Sequence, residues 1–397
     1  MRLDILLRRE NFPHIFSKLL EQELSKRFGW SGQITWEQPR CLSKPDQLLV
    51  NQKLNVIYPA TMNRSVLRQF TAEYRYHPNL FRRLFQSLYV RFATSFPFEM
   101  LTTVAVIKIS PWLDKLEHCC VIPGNHSIRI VELNHDRCRV FIKPGFNHKF
   151  IRNEITIRKQ FPFLPIPILL ESNKEDGWYL EERIIALPLN RITDQKLRKK
   201  MLLQAHNALL ELYATTRQVQ QLSEKRGQLL SSLRKAVNLL PVVYCRTERN
   251  QINFLINKLD EQLADSGIQM LNTVQSHGDF QPANILIAAE GGKSKLYLID
   301  WEYSERRSQF YDALVFAVQA RFPLGLALRF KKLISGEHQN LSWCGYSSLT
   351  EWMVVLFLME DLLVRLEELY IPELKQKSEG LSQWMREVEK MQWLSNR

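Results

Sequence analysis

The chain of 397 residues is 45% hydrophobic, 24% charged and 11% aromatic, a balance that excludes a disordered protein and leaves room for two or three structural units. Its net charge of +13 and pI near 9.4 favour an anionic partner, be it a nucleotide, a phosphorylated glycan, a lipid surface or nucleic acid. The basic residues come in short groups, Arg82 with Arg83 and Lys196 to Lys200, with no long basic tail, zinc-finger or RRM signature, so nucleic acid is not expected as the partner.

The first segment, "MRLDILLRRENFPHIF", is interrupted by Asp4, Arg8, Arg9 and Glu10 and offers no unbroken apolar stretch for a secretory signal. A cytoplasmic protein is expected. No recognisable motif occurs up to about Trp112, and this region is expected to be a mostly helical N-terminal extension (1–112). Within it "NLFRRLFQSLYVRFATSF", from Asn79 to Phe96, places Leu80, Leu84, Leu88 and Phe92 on one helical face, with Phe81, Phe85 and Tyr89 beside them and Arg82, Arg83 and Arg91 interspersed. Packing on the rest of the protein is the simpler expectation for such a helix. The alternative is peripheral contact with the inner face of a membrane, since amphipathicity alone does not separate the two.

"CCVIPGNHSIRIVELNHDRCRVFIKPG", Cys119 to Gly145, gives three apolar runs separated by turn-rich "PGNHS" and "NHDR", which predicts an antiparallel meander. A helix from "NHKFIRNEITIRKQF" and a strand in "GWYLEERIIALPL" follow. Beyond Asn190 the periodicity turns helical, with segments from Asp194, from about Gln218 to Leu240 and from Asn250 to Ala264, and then around Tyr311–Arg321, Leu349–Tyr370 and Pro372–Trp393. "WMVVLFLMEDLLV", the richest apolar run, is cut by Glu360 and Asp361 and falls short of the roughly 18 apolar residues of a membrane span; a buried helix is predicted. The order implies an α+β protein with a small antiparallel β-sheet lobe (113–186) and a larger helical lobe (187–397).

Six cysteines, Cys41, Cys119, Cys120, Cys138, Cys245 and Cys344, form no CxxC pair, and reduced thiols are expected. His118, His126, His135 and His148 lack a metal-ligand spacing. Glycosylation-like triplets at Asn63, Asn125 and Asn340 carry no weight without a secretion signal.

The chemistry concentrates in "SHGDFQPANILI", Ser276 to Ile287, where Asp279 and Asn284 lie five positions apart, and in "KLYLIDWE", which brings Asp300 to the end of a strand-like run. Phosphoryl transfer needs one carboxylate to orient or deprotonate the attacking hydroxyl and oxygen ligands to hold magnesium against a triphosphate. Asp279 suits the first task, and Asn284 with Asp300 the second. With nine histidines in the chain, the His-Asp-Asn offsets arise by chance with a probability of about 0.02.

"HGDFQPANIL", "LIDWEY" and the downstream "QFYDALVF" resemble the catalytic loop, metal-binding strand end and following helix of the aminoglycoside phosphotransferase and choline kinase families, relatives of protein kinases. The resemblance implies a two-lobed protein-kinase-like fold, ATP and Mg2+ as cofactors, and a hydroxyl-bearing acceptor. It implies that Asp279 is the catalytic aspartate, that Asn284 and Asp300 are magnesium ligands, that His277 holds the loop and that Asp312 braces it. Lys143, ending "VFIK", would reach the α and β phosphates, paired with Glu154 on the next helix. Gly124, Asn125 and Ser127, with the His126 amide, would form a reduced phosphate loop, for which a plain hairpin turn is the competing reading. Main-chain groups near Glu182, Arg183 and Ile184 would meet the adenine edge. Glu302 would either add a carboxylate to the metal site or form a surface ion pair. The aromatics Trp301, Tyr303, Phe310 and Tyr311 would either cage a quaternary ammonium, stack on a sugar or pack the interior.

"DWE" in place of DFG and the lack of an APE signal favour a small molecule or glycan over a protein acceptor. Charge favours a sugar of a cell-surface glycan or lipopolysaccharide-type lipid. Choline, another amino alcohol or an aminoglycoside is the alternative acceptor, and a non-catalytic nucleotide-binding scaffold the alternative function.

Overall fold

The computed structural model describes residues 2–39, 44–77, 79–95, 98–336, 341–371 and 374–391. Cys41, Asn340, Phe96, Pro372 and Trp393 lie outside the described residues. The chain divides into two compact units, Met1–Arg158 with Ile166–Met201 and Leu286–Tyr297, and Lys159–Pro165 with Leu202–Ile285 and Leu298–Arg397.

The first unit is built on nine strands, β1 (Gln33–Glu37), β2 (Gln47–Asn51), β3 (Val56–Pro59), β4 (Ala105–Ser110), β5 (Cys119–Pro123), β6 (Ser127–Glu132), β7 (Arg137–Ile142), β8 (Leu169–Asn173) and β9 (Trp178–Glu182). They form one sheet in the order β1-β4-β2-β3-β5-β6-β7-β9-β8, and every registered pair in it is antiparallel. The meander expected between Cys119 and Gly145 is β5, β6 and β7. The first 112 residues are more than a helical extension, because β1 to β4 continue that sheet through the pairing of Ile57 with Val121.

Two helices, α1 (Leu3–Arg9) and α2 (Phe12–Phe28), pack on this sheet. Pro13 suits the first turn of α2, whose amide would lack a partner in any case. Gly29, at φ 62°, closes the helix in the left-handed conformation that glycine takes without strain. Leu3, Leu6, Phe12, Phe16 and Leu20 share a core with Ile107, Val121, Ile128 and Phe141 from β4 to β7. Phe12 and Phe16 also meet Trp36 of β1 edge-on at 6.2 and 6.0 Å. The unit is completed by helices α3 (Arg64–Phe70), α4 (Leu80–Ala93), α5 (Glu99–Thr102) and α6 (Lys149–Gln160) and by a small sheet of β10 (Ala186–Pro188), β13 (Ile285–Glu290) and β14 (Lys293–Leu298).

The second unit is mainly helical: α7 (Gln195–Thr216), α8 (Leu222–Asn238), α9 (Arg246–Ala264), α10 (Tyr311–Ala317), α11 (Leu326–Ile334), α12 (Glu351–Glu367) and α13 (Glu379–Glu389). Residues 218–221, expected to open a helix, form β11 instead, because they pair with β12 (Met270–Ser276), which in turn pairs with β15 (Glu305–Ser308). The buried helix predicted at Trp352–Val364 is α12, and its two acids are matched. Glu360 accepts from the Ser308 amide and hydroxyl and pairs with Lys225, while Asp361 pairs with Arg321 and Arg365. Among the described residues no helix is long and apolar enough to cross a membrane. The five described cysteines carry free thiols, and burial pushes Cys138 and Cys344 up to about 12, which makes them inert apolar fillers.

Because α2 is core to the sheet, Phe16→Ala is expected to cost about 3–5 kcal/mol of stability. Urea unfolding measures this, and a loss below about 0.5 kcal/mol would mean that the N-terminal helices are only appended.

Candidate active site

Strand β12 ends at Ser276, so the motif starts where a strand releases the chain. Gly278 has φ 85°, and a Cβ there would stand 2.2 Å from the Tyr303 carbonyl oxygen, so the turn requires glycine. The His277 and Gly278 amides donate to the two carboxylate oxygens of Asp312 at 2.7 and 2.9 Å, and the Tyr213 hydroxyl also donates to Asp312. Asp312 thus satisfies two amides of the buried turn and one hydroxyl from α7. The His277 Nδ1 accepts from the Asp279 amide, which puts the proton on Nε2, where it is donated to the Ile299 carbonyl at 3.0 Å. His277 is fully buried and rests against Trp301, so it ties the loop to the strand that carries Asp300.

Asn284 is set by the same loop. Nδ2 of its amide donates to Asp279 twice, to the carbonyl at 2.9 Å and to Oδ2 at 2.8 Å, so its Oδ1 is the atom that could hold a cation. The Ile299 amide donates to the Asn284 carbonyl at 3.0 Å, so Asn284 lies beside the strand end from which Asp300 projects. Asp300 adopts the left-handed conformation, φ 71°, ψ 53°, which aspartate tolerates better than most residues. An amide oxygen and a carboxylate are hard oxygen donors of the kind magnesium takes, usually one or two per ion with the rest from substrate and water. The sequence-predicted set of Asp279, Asn284 and Asp300 is therefore brought together within the second unit, with His277 and Asp312 behind it. Glu302 is buried rather than a surface partner.

One participant was not foreseen. Arg321 donates from Nε to Asp279 Oδ1 at 2.6 Å, from Nη2 to the Gly278 carbonyl at 2.5 Å and from Nη1 to Asp361 at 3.1 Å. Burial opposes its charge, but Asp279, Tyr311 and Asp361 outweigh that and push its pKa well above the ordinary value. Asp279 Oδ2 accepts from Gln281 and Asn284, so both carboxylate oxygens are fixed in direction. Arg321 lies 42 positions after Asp279 in the apolar stretch "VFAVQARFP", and no motif spacing marks it.

In the first unit Lys143 is fully buried at the end of β7. Its Nζ donates to Glu10 Oε1 at 2.6 Å and to the Asn125 carbonyl at 2.8 Å, and its charge also faces the rings of Phe12 and Phe146. Glu154, expected as its partner, instead pairs with Arg158 one turn along α6, and Arg158 bridges to Glu181 at 2.8 Å. The i,i+4 spacing and the nearby Glu181 draw Glu154 into a separate buried network. Arg9 donates to the Asn125 side chain at 2.6 Å and pairs with Glu10. The turn itself is closed by the Gly124 amide on the Ser127 carbonyl at 2.8 Å, and the Lys143 amide donates to His126. Gly124, Asn125 and Ser127 are thus part of a hairpin turn seated on the lysine. Glu182 ends β9, its carboxylate accepting from the Ile168 amide, and Arg183 pairs with Asp136; Ile184 follows them.

The rings of Trp301, Tyr303, Phe310 and Tyr311 are buried and pack the second unit's interior, so none forms an open cage. Phe280, next to Asp279, meets His277 on one side and Phe316, Trp343 and His206 on the other. His206 stacks on Trp343 at 4.3 Å and 4°, and burial lowers its pKa from 6.5 to about 4. A depressed histidine contributes stability above its unfolded value that is lost as the group is forced to charge. Stability is therefore expected to fall as pH drops from about 6.5 toward 4, and His206→Phe should flatten that part of the profile in thermal denaturation. An unchanged slope would rule out His206 as the group responsible.

Comparison with known proteins extends the geometry. Residues 150–333 match the model of the phosphotransferase enzyme family, a span that holds the whole Asp279, Asn284, Asp300 and Arg321 set but neither Glu10 nor Lys143. No protein of curated function matches the chain. Among solved structures, choline kinase LicA from Streptococcus pneumoniae is 17% identical, with 68% of this chain and 93% of that one covered and a TM-score of 0.45. Plasmodium vivax ethanolamine kinase is 12% identical, covering 68% and 81% with a TM-score of 0.42. Aminoglycoside phosphotransferase APH(3'')-Id from Streptomyces rimosus is 16% identical, covering 64% and 92% with a TM-score of 0.38. Likenesses this distant assign no substrate. The family match stands on the segment that carries the loop, residues 150–333, a little under half of the chain.

Proposed function

We propose that the protein is an ATP-dependent kinase that transfers the γ-phosphoryl group to a hydroxyl. The observation that carries this reading is the bonding of Asn284 to both the carbonyl and the carboxylate of Asp279, next to the strand end bearing Asp300. Asp279 would orient the acceptor hydroxyl. Its carboxylate, held by Arg321, Gln281 and Asn284, suits alignment better than strong proton abstraction, which fits a loose phosphoryl-transfer transition state with little demand for a base. Asn284 Oδ1 and the Asp300 carboxylate would hold magnesium. That ion would neutralise charge on the transferred group.

Lys143 would bind the α and β phosphates, directed by Glu10 in place of Glu154, with the Gly124–Ser127 turn offering amides and the Ser127 hydroxyl. Main-chain groups at Glu182 and Ile184 would meet the base. Rate enhancement would come from alignment and fixed charge.

For the acceptor we favour a sugar hydroxyl of a cell-surface glycan or lipopolysaccharide-type lipid. Two acids at the loop are matched, Asp279 by Arg321 and Asp361 by Arg321 and Arg365, and a cationic aminoglycoside or choline would meet two guanidinium groups there. The net charge of +13 points the same way.

Mass spectrometry of cell extracts incubated with ATP and either the wild type or Asp279→Asn tests the reading. A phosphate-mass gain on a glycan or lipid, present with the wild type and reduced at least about a hundredfold with the variant, is expected. Equal products from both proteins would remove Asp279 from the chemistry, and nucleotide binding without any product would favour a non-catalytic scaffold.

A further inference from the structure

Helix α4 carries its apolar face outward. Leu80, Phe81, Leu84, Phe85 and Leu88, at spacings of one, four, five and eight, are each 61–76% exposed, and Phe92 extends the same face by one turn. Val90 and Ala93 are the buried residues of this helix. The arrangement is built rather than frayed: Asn79 caps the first turn by accepting from the Arg82 amide, and Arg68 clamps the far end through Thr94 and Ser95. Phe92 is further fixed by stacking on Phe98 at 4.7 Å. Soluble proteins scatter single exposed apolar residues, whereas a contiguous row of them marks a surface with a partner.

Charge identifies that partner. Helix α4 has no acidic residue and exposes Arg82 and Arg91. Across residues 64–103 there are six arginines against two glutamates. Glu99 is buried in an ion pair with Arg64, and burial raises the pKa of Glu73. A row of leucine and phenylalanine bordered by arginine, about 21 Å long at 1.5 Å per residue, is suited to lie in the plane of an anionic bilayer, with the rings at the acyl boundary and the guanidinium groups at the phosphates. A second copy of this chain fits less well, because its arginines would meet their own kind in a molecule already at +13.

We infer that α4 docks the protein peripherally on an anionic phospholipid surface. The inference stands on the surface alone and needs no assumption about the acceptor. If the acceptor is a lipid-linked sugar, the same contact also delivers the enzyme to its substrate.

The test is flotation of the purified full chain with phosphatidylcholine vesicles and with vesicles containing phosphatidylglycerol, without nucleotide. The wild type is expected to float with the anionic vesicles only and to be released by salt. Phe81→Ser with Phe85→Ser should cut the bound fraction at least about tenfold, because two buried rings are lost, and should leave the melting temperature unchanged, since both residues are exposed. Arg82→Glu with Arg91→Glu should abolish the preference for anionic lipid. Absence of wild-type binding, or equal binding by the Phe variant, overturns the inference. A wild-type dimer in analytical ultracentrifugation that the Phe variant dissociates would give the face to a second copy instead. The assay contains no phosphoryl transfer, so its failure leaves the kinase reading untouched.

Discussion

A buried lysine must be given a countercharge, and much of the first unit is arranged around how Lys143 receives one. Two charges taken out of water are tolerated only with close, well-directed partners. Here Glu10 stands at the junction of α1 and α2, with its amide bonded to Leu6 and its carboxylate shared between Lys143 and Arg9. Phe12 and Phe16, directly after it, are locked into the core beneath the sheet. The pair therefore couples the N-terminal helices to the end of β7, and through Arg9 and Asn125 to the glycine turn between β5 and β6. Glu10 is thus flanked by packed residues, and we propose that it directs the lysine.

The second unit solves the same problem for a carboxylate. Asp279 is buried, and its two oxygens are met by Arg321 on one side and by Asn284 and Gln281 on the other. Its backbone is held from behind by Asp312 through the two preceding amides. Arg321 in turn connects Asp279 to Asp361 and so to Arg365 on α12. Each side chain of this chain of charges is held by at least two contacts, which is the condition for a polar network to be rigid rather than costly. A rigid aspartate has the geometry to align a hydroxyl, and alignment is the larger part of what phosphoryl transfer asks of a protein.

How much of this was legible in the sequence follows from how local each signal is. The Asp279–Asn284 pair lies on one loop, so its short spacing carried it, whereas the brace, Asp312, on the helix after the strand that leads to Asp300, was implied only by the family resemblance. Helix α12 was legible because its apolar run is long and interrupted by acids, although what those acids bind was not. Strands β1 to β4 were missed because helices α3 to α5 separate β3 from β4 and the strands pair out of chain order, β1 with β4 and β4 with β2, whereas β5 to β7, scarcely longer, form one consecutive meander. Glu10 and Arg321 were missed for the same reason in sharper form: each meets its partner across 133 and 42 positions, and no pattern of residue types announces such a pair. In the sequence Arg9 and Glu10 only interrupted an apolar run. The placement of Glu154 followed the expectation for a helix after a lysine strand, and failed because Arg158, four residues on, satisfies it first.

The claim on which the proposed nucleotide site most depends is that Glu10 acts through Lys143. A double-mutant cycle of Glu10→Gln and Lys143→Met, read as the nucleotide dissociation constant by titration calorimetry on folded protein, tests it directly. Glu10→Gln is expected to weaken nucleotide binding about tenfold when Lys143 is present, the scale of one hydrogen bond to a charged group, and to have no effect when Lys143 is already methionine. Equal effects of Glu10→Gln in both backgrounds, or none in either, would contradict it.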